Sequence, residues 1–454
     1  MRLLTLCLVC LAPALAGAQT VRSVSLQAND LIYDGLRQVI YASVPSSVGV
    51  GGNTITVINP ATGVVGPSVF VGSEPGKLAL SDNAQYLYVG LNGAAAIRRV
   101  DLQTFTATQQ FSLGSDPFSG PYYPADIAVA PGQPLVVAVS LRRLGVSPEH
   151  GGVAIFDNGV QRPTKTPDHT GSNVIEFGAT ADRLYGYNNG TTEFGFRRLT
   201  VTAGGVTELD VTRDLFSSFS ADMVFEAGRI FASVGTVIDA EARTVLGTFT
   251  GVAPGGVPQV RPAVDRGVVY FLANAALRAY DLQTFVPLGA AFTVPGVSGD
   301  TRSLIRVGQT GLAFRTSGGQ VFLLDVPASP PPPPPPPPTS SPLSVTLSLG
   351  GCTVCAAGST FVVNGVVSNT WTAPIRVEVK AGFGLPDGSE RAFSLLNQSH
   401  FEIALPGGLV APVEFVRLAL PPGMPRGTWT YEVTLLSPDL GRTFARQTVT
   451  FTVQ

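Results

Sequence analysis

Histidine, the most versatile catalytic side chain, is scarce in this 454-residue chain: only His150, His169 and His400 are present. A multi-imidazole metal site is not expected from so few. Zinc would need four ligands, and there is no second C-x-x-C and no H-x-x-x-H. A Ser-His-Asp triad would have to use His150 or His169, and no G-x-S-x-G elbow presents a serine. Both histidines read as exposed loop residues, with Asp168 a weak candidate base beside His169. Gly49-Val50-Gly51-Gly52-Asn53 is a turn between strands and opens no helix, so it is not a phosphate loop. This inventory predicts no catalytic residue, no metal and no cofactor.

The remaining reactive pair is Cys352-Thr353-Val354-Cys355. Its chemistry depends on compartment, and the first residues address that. Met1-Arg2 is a short basic start, Leu3–Leu15 is apolar, and Ala16-Gly17-Ala18 is an A-x-A cleavage site before Gln19. Residues 1–18 therefore read as a signal peptide, the apolar run being too short to span a bilayer comfortably. An uncleaved anchor is the alternative. A lipoprotein signal at Cys10 is disfavoured by the preceding Cys7-Leu8-Val9. Export predicts a periplasmic, cell-surface or secreted protein with no integral membrane segment after cleavage. In an oxidising compartment Cys352 and Cys355 are expected to form a disulfide, since the ends of a turn lie close enough for one. A redox role would need the motif at a helix N-terminus, and here it stands between two strands.

The elements that position these residues are repetitive. Asp-Leu-Gln-Thr-Phe occurs at Asp101–Phe105 and at Asp281–Phe285. Equivalent strand ends fall at Asn59, Asp101, Asp157, Leu199, Asp239, Asp281 and Asp325, with spacings of 42, 56, 42, 40, 42 and 44. Between them run alternating segments such as Ile55-Thr56-Val57-Ile58 and Tyr86-Leu87-Tyr88-Val89, punctuated by Gly, Asn, Asp and Pro. Units of about 42 residues with several short strands have the size of a four-stranded propeller blade, so residues 19–326 are predicted to form a seven-bladed β-propeller. The seventh unit shows three strands, Ser303–Val307, Gly311–Arg315 and Val321–Leu324, and Val21–Gln27 can supply the fourth and close the ring.

Ile40-Tyr41-Ala42-Ser43, Ile55–Gly63, Val71-Gly72-Ser73-Glu74-Pro75, Leu78–Asp82 and Tyr88-Val89-Gly90-Leu91-Asn92 together resemble the YVTN-type β-propeller repeat of bacterial exported and surface proteins. The resemblance covers residues 31–130 well and 259–325 fairly; in 173–250 only the strand pattern survives. It implies seven blades and export. It does not imply one activity.

Aligning the units places Asp30, Lys77, Asp126, Asn173, Asp222, Gln259 and Arg302 near the starts of the innermost strands, at the channel mouth. They form a candidate ligand-binding ring or, alternatively, the solvated lining of a water-filled channel. Three Asp leave a divalent cation conceivable, although no D-x-D-x-D-G loop supports one. The third unit is longer than the others, and its extra residues fall in Ser112–Pro124 and Leu141–Gly151. Phe118, Tyr122, Tyr123, Arg142, Arg143 and His150 are candidate interaction-loop residues there, extra length on a rigid scaffold being where binding is often built.

Nine consecutive prolines, Pro330–Pro338, make 327–342 a stiff linker. Beyond it, residues 343–454 carry seven candidate strands: Ser344–Leu349, Thr360–Ser368, Ile375–Gly382, His400–Leu405, Glu414–Leu420, Thr428–Ser437 and Arg442–Val453. That suggests an Ig-like or fibronectin-like sandwich, and Arg426-Gly427-Thr428-Trp429-Thr430-Tyr431 resembles a strand start common in bacterial Ig-like domains. The composition, with 13% charged residues, 51 Gly and 37 Pro, suits an all-β extracytoplasmic protein. A net charge of −2 gives no argument for a nucleic-acid partner. Two functional readings follow. The favoured one is an exported binding scaffold with a protein or cell-surface glycan as partner. The alternative is a lactonase-like propeller hydrolase, which would need a convergent acid, base or metal set at the mouth.

Overall fold

The computed structural model describes residues 20–219, 221–252, 258–326, 343–370, 374–386, 390–392, 400–436 and 443–454. The expected signal peptide, 1–18, and the proline-rich linker, 327–342, lie outside them. The chain divides into two compact units, Met1–Ser329 and Pro330–Gln454. The described residues are all-β, with two short 3-10 turns and no α-helix.

The larger unit is built from short antiparallel hairpins. The repeated pentapeptide explains their turns. Asp101 Oδ1 accepts hydrogen bonds from the Gln103 and Thr104 amides, and Asp281 Oδ1 does the same for Gln283 and Thr284. Asn59 and Asp239 cap equivalent turns. Four residues after each of these caps the backbone turns left-handed, at Gly63, Phe105, Arg243 and Phe285. The carboxylate or amide side chain holds a tight turn that reverses the chain, so the motif repeats because the hairpin repeats.

Seven four-stranded sheets result among the described residues. Their innermost strands are, in order, Asp30–Asp34, Pro75–Leu80, Tyr123–Val129, Val174–Phe177, Met223–Glu226, Gln259–Ala263 and Thr301–Val307. Each lies against the next, and the seventh lies against the first. Seven separate apolar layers fill the spaces between neighbouring sheets. One layer joins Leu31, Ile40 and Ile58 of the first sheet to Ile305, Ala313 and Leu323 of the seventh. The sheets therefore form a closed, propeller-like ring. The fourth strand of the seventh sheet is the N-terminal strand Thr20–Ser25, paired antiparallel with Gln320–Asp325 from Thr20↔Asp325 to Ser25↔Gln320. Its outer edge stops short of Gln27, where the chain turns to enter the first sheet.

The smaller unit packs a three-stranded sheet against a larger one. The first contains Leu343–Leu349, Thr360–Asn369 and Val410–Ala419. The second is centred on Ile375–Gly384, Gly427–Leu436 and Thr443–Val453. One continuous core joins them: Val345, Phe361, Val363 and Phe415 from one face, Val377, Trp429, Tyr431, Val433 and Phe451 from the other. Inward residues alternate with outward ones, as in a two-layer sandwich. His400 starts a strand paired to Ile375–Gly384 opposite Lys380.

Candidate functional site

The ring encloses a cavity of about 860 Å³. Asp30, Lys77, Asp126, Asn173, Asp222, Gln259 and Arg302 all line it, one from each inner strand or the residue just before it. Equivalent positions in seven copies of one hairpin unit converge because the inner strands run side by side in the same direction.

Their neighbours separate them into distinct jobs. Asp30 spans three sheets: its Oδ2 accepts the Leu78 amide at 3.0 Å and its Oδ1 accepts the Ser303 hydroxyl at 2.7 Å. Asp126 accepts the Ile175 amide of the next sheet at 3.0 Å and faces Lys77 Nζ at 3.5 Å. These two aspartates tie adjacent sheets together at the mouth. Lys77 keeps 44% of its side-chain surface open to the cavity. The carboxylate of Asp126, then those of Asp222 and Asp30, push its ammonium above the ordinary lysine range in spite of the opposing effect of burial. Burial outweighs the attraction of Lys77 at Asp126 and raises that carboxyl. The Asp222 carboxylate accepts the amide of its neighbour Met223 at 2.9 Å and no other hydrogen bond among the described residues. Asn173 has a buried Oδ1 with no partner among the described residues.

Four further cavity residues, Glu176, Arg261, Arg306 and Arg315, were not anticipated. Glu176 interrupts the apolar strand Val174–Phe177. Burial, reinforced by Asp126, pushes its carboxyl up to about 8, so it is mostly protonated at neutral pH. A charged residue inside an inner strand was the signal available for Glu176, Arg261 and Arg306. Arg315 stands on the second strand of the seventh sheet, opposite Arg302, and inner-strand alignment alone does not find it.

The six candidate loop residues of the long third unit occupy different surroundings. Phe118 is 98% exposed at the tip of a small hairpin, Ser115–Asp116 with Gly120–Pro121, whose turn is capped by Asp116. Tyr122 is buried in the apolar layer between the second and third sheets, with Lys165 over its ring at 5.3 Å. Tyr123 opens the inner strand and is half-buried. Arg142 lines the cavity and donates to Asn92 Oδ1 at 3.1 Å. Arg143 is tied to Asp168 at 3.1 Å and donates to the carbonyls of Pro148 and His150.

His150 is the clear correction: it is no exposed loop residue but the first residue of strand His150–Asp157, only 1% exposed. The segment after Thr166 folds over it. A backbone bridge joins it to His169, and a Cβ at Gly171 would fall 2.3 Å from its Nε2. Neither ring nitrogen has a partner among the described residues. Burial, aided by Arg197 and Lys165, lowers its pKa to about 3, so the ring is neutral. His169 is exposed, its Nδ1 3.1 Å from Thr170 Oγ1. Neither histidine lines the cavity.

Among the described residues no group of three or more His, Cys, Asp or Glu is close enough to hold a metal ion, so the three mouth aspartates do not form a cation cage. No helix among them is long and apolar enough to cross a membrane. In the smaller unit Cys352 and Cys355 are bonded, with Cα atoms 5.3 Å apart; Cys355 ends the edge strand Val354–Cys355, paired parallel to Thr452 and Val453, and Cys352 precedes that strand.

No protein-family profile matches the chain. No curated protein is similar to it in sequence. Solved structures are similar in fold. The Cps50 (Swd1) β-propeller domain of Myceliophteria thermophila is 12% identical, with 68% of this chain and all of that one covered at a TM-score of 0.46. The dihydro-heme d1 dehydrogenase NirN is 13% identical, with 64% and 61% covered at 0.44. Hydrazine synthase of Kuenenia stuttgartiensis is 14% identical, with 67% and 78% covered at 0.39. The class defined here is an all-β protein with a propeller-like ring of sheets around a polar cavity.

Proposed function

We propose that the larger unit is a seven-bladed β-propeller of the YVTN type, that the smaller unit is an Ig-like module, and that the chain is an exported bacterial binding scaffold whose ligand enters the channel mouth. One observation carries this reading. A polar residue in or just before the inner strand of each of the seven sheets reaches one polar cavity of about 860 Å³, within the usual size of small-ligand sites. Much of that lining is committed to holding the ring together, but Lys77, Asp222 and Asn173 keep groups facing the cavity.

The test is a thermal-shift screen of the mature chain against small polar ligands and glycans, repeated with Lys77→Met and Asp222→Asn. Hits should weaken about tenfold in at least one variant, the effect of one lost charge-assisted contact. Hits indifferent to both substitutions would place binding elsewhere. A parallel lactone and ester hydrolysis screen addresses the hydrolase alternative: turnover abolished by the same substitutions would replace the scaffold reading.

A further inference from the structure

The charges around the mouth are unevenly satisfied. Some arginines of the ring are held by two-pronged carboxylate pairs. Arg306, lower in the same cavity, places its two terminal nitrogens on Asp265 at 2.7 and 2.9 Å, and Arg162 makes a two-pronged pair with Asp157 at 2.8 Å. The wall formed by sheets six and seven departs from this pattern. Arg315 uses only Nε, donating to Ser303 Oγ at 3.3 Å. Arg261 uses only Nε, donating to the Leu304 carbonyl at 3.1 Å, which leans it towards sheet seven. The terminal nitrogens of both have no protein partner among the described residues, and both residues line the cavity. Arg302 lies opposite Arg315 in register, and its one carboxylate partner among the described residues, Asp300 at 3.3 Å, is 70% exposed.

We propose that this wall binds a small ligand bearing an oxyanion, carboxylate or phosphate, through Arg261, Arg302 and Arg315. The inference rests on the mouth being a binding site and names the chemistry it takes. The nearest internal substitute does not serve. Asp30 acts electrostatically on Arg315, but both its oxygens are occupied, by Leu78 N and Ser303 Oγ. Burial, with Arg302 adding to it, holds Arg315 below the ordinary arginine range, which is the state an incoming anion relieves. Asp126 and Asp222 act on Lys77, and Glu176 is largely uncharged at neutral pH. A guanidinium with both terminal nitrogens open is suited to a bidentate oxyanion.

The backbone agrees. The inner strand bulges between Arg302 and Ile305, and Ser303 within the bulge sits at φ 51°. A non-glycine residue there is strained, and a bulge re-aims the side chains beside it. Here those are Arg302 and the serine that anchors Arg315.

The test is titration calorimetry of the full mature chain at low ionic strength, with citrate and with inorganic phosphate. At least one should bind, and Arg261→Met/Arg315→Met should weaken it at least about tenfold. Arg315→Lys should recover only part of the loss, because it restores charge without the fork. Arg376→Met in the smaller unit should change nothing. If the double variant does not fold, Arg261→Lys and Arg315→Lys are measured singly, each expected to weaken binding measurably but by less than the double variant, because the charge is kept and the fork is lost. Binding unchanged by these substitutions overturns the proposal. So does failure of both probes to bind. If both fail while a neutral ligand still binds and is lost in Lys77→Met, or a cationic one binds and is lost in Asp222→Asn, the mouth remains the site and only the oxyanion assignment falls.

Discussion

The two units bury their interiors in opposite ways. The sandwich has one core, in which Phe361, Tyr431, Val433 and Phe451 meet face to face. The ring has seven thin apolar layers between sheets and a polar hollow where a single core would otherwise lie. A sandwich concentrates its stability and leaves function to its rim. A ring distributes stability around its circumference and frees its axis for polar chemistry, on condition that the circle is closed.

The largest expected effect breaks that condition. Deleting residues 19–28 removes the strand paired with Gln320–Asp325 and exposes edges on two sheets. The ring should lose its cooperative transition or aggregate, while the fragment 343–454 should still unfold cooperatively on its own. A deletion variant as stable as the parent would show that closure is not needed.

Next comes the concentrated core. Phe361→Ala should cost the sandwich about 3–5 kcal/mol in denaturant unfolding, far more than Lys77→Met costs the ring. Comparable losses would mean that the hollow is as structural as the core.

The pH response separates two buried groups of the ring. The depressed pKa of His150 means that the folded state binds fewer protons than the unfolded one between about 3 and 6.5. Stability should therefore fall as pH falls through that window, by up to about 1.4 kcal/mol per unit, and His150→Leu should flatten the slope. Glu176 has the opposite sign: its pKa is raised to about 8, so its contribution is lost as pH rises from about 4.5 to 8. Glu176→Gln should remove that loss. Parent and variant profiles that superimpose in either window would refute the corresponding assignment.

Smaller still, Asp30→Ala should cost about 1–3 kcal/mol, because the Leu78 amide and Ser303 hydroxyl lose their acceptor, and Asp30→Asn should cost less. The smallest effect belongs to the disulfide. Cys352→Ser opens a loop with a sequence separation of only 3, worth about 2 kcal/mol or less. Mass before and after reduction should differ by two hydrogen atoms in the parent.

The sequence carried the hairpin period plainly, because a turn that needs Asp or Asn at its first position and a left-handed residue at its fifth writes itself into four of the copies, at Asn59, Asp101, Asp239 and Asp281. The seven mouth positions were readable for the same reason, and they reach the same cavity. What alignment could not carry was the state of each side chain. Asp30 and Arg302 occupy equivalent places, yet one bridges three sheets and the other looks into the cavity. Arg315 comes from a different strand. The burial of His150 depends on residues 166–171 folding back over it, a contact between segments with no shared period.

Closure by the first strand also orders events in time. Thr20 leaves the ribosome at the beginning of the ring's synthesis, and its partner Asp325 is made roughly 300 residues later. Six sheets can be complete while the seventh still waits for a strand that has existed longest of all. Until the two meet, the earliest segment is an unpaired edge. Whatever keeps it from pairing elsewhere during that wait decides how much of the protein reaches its final form.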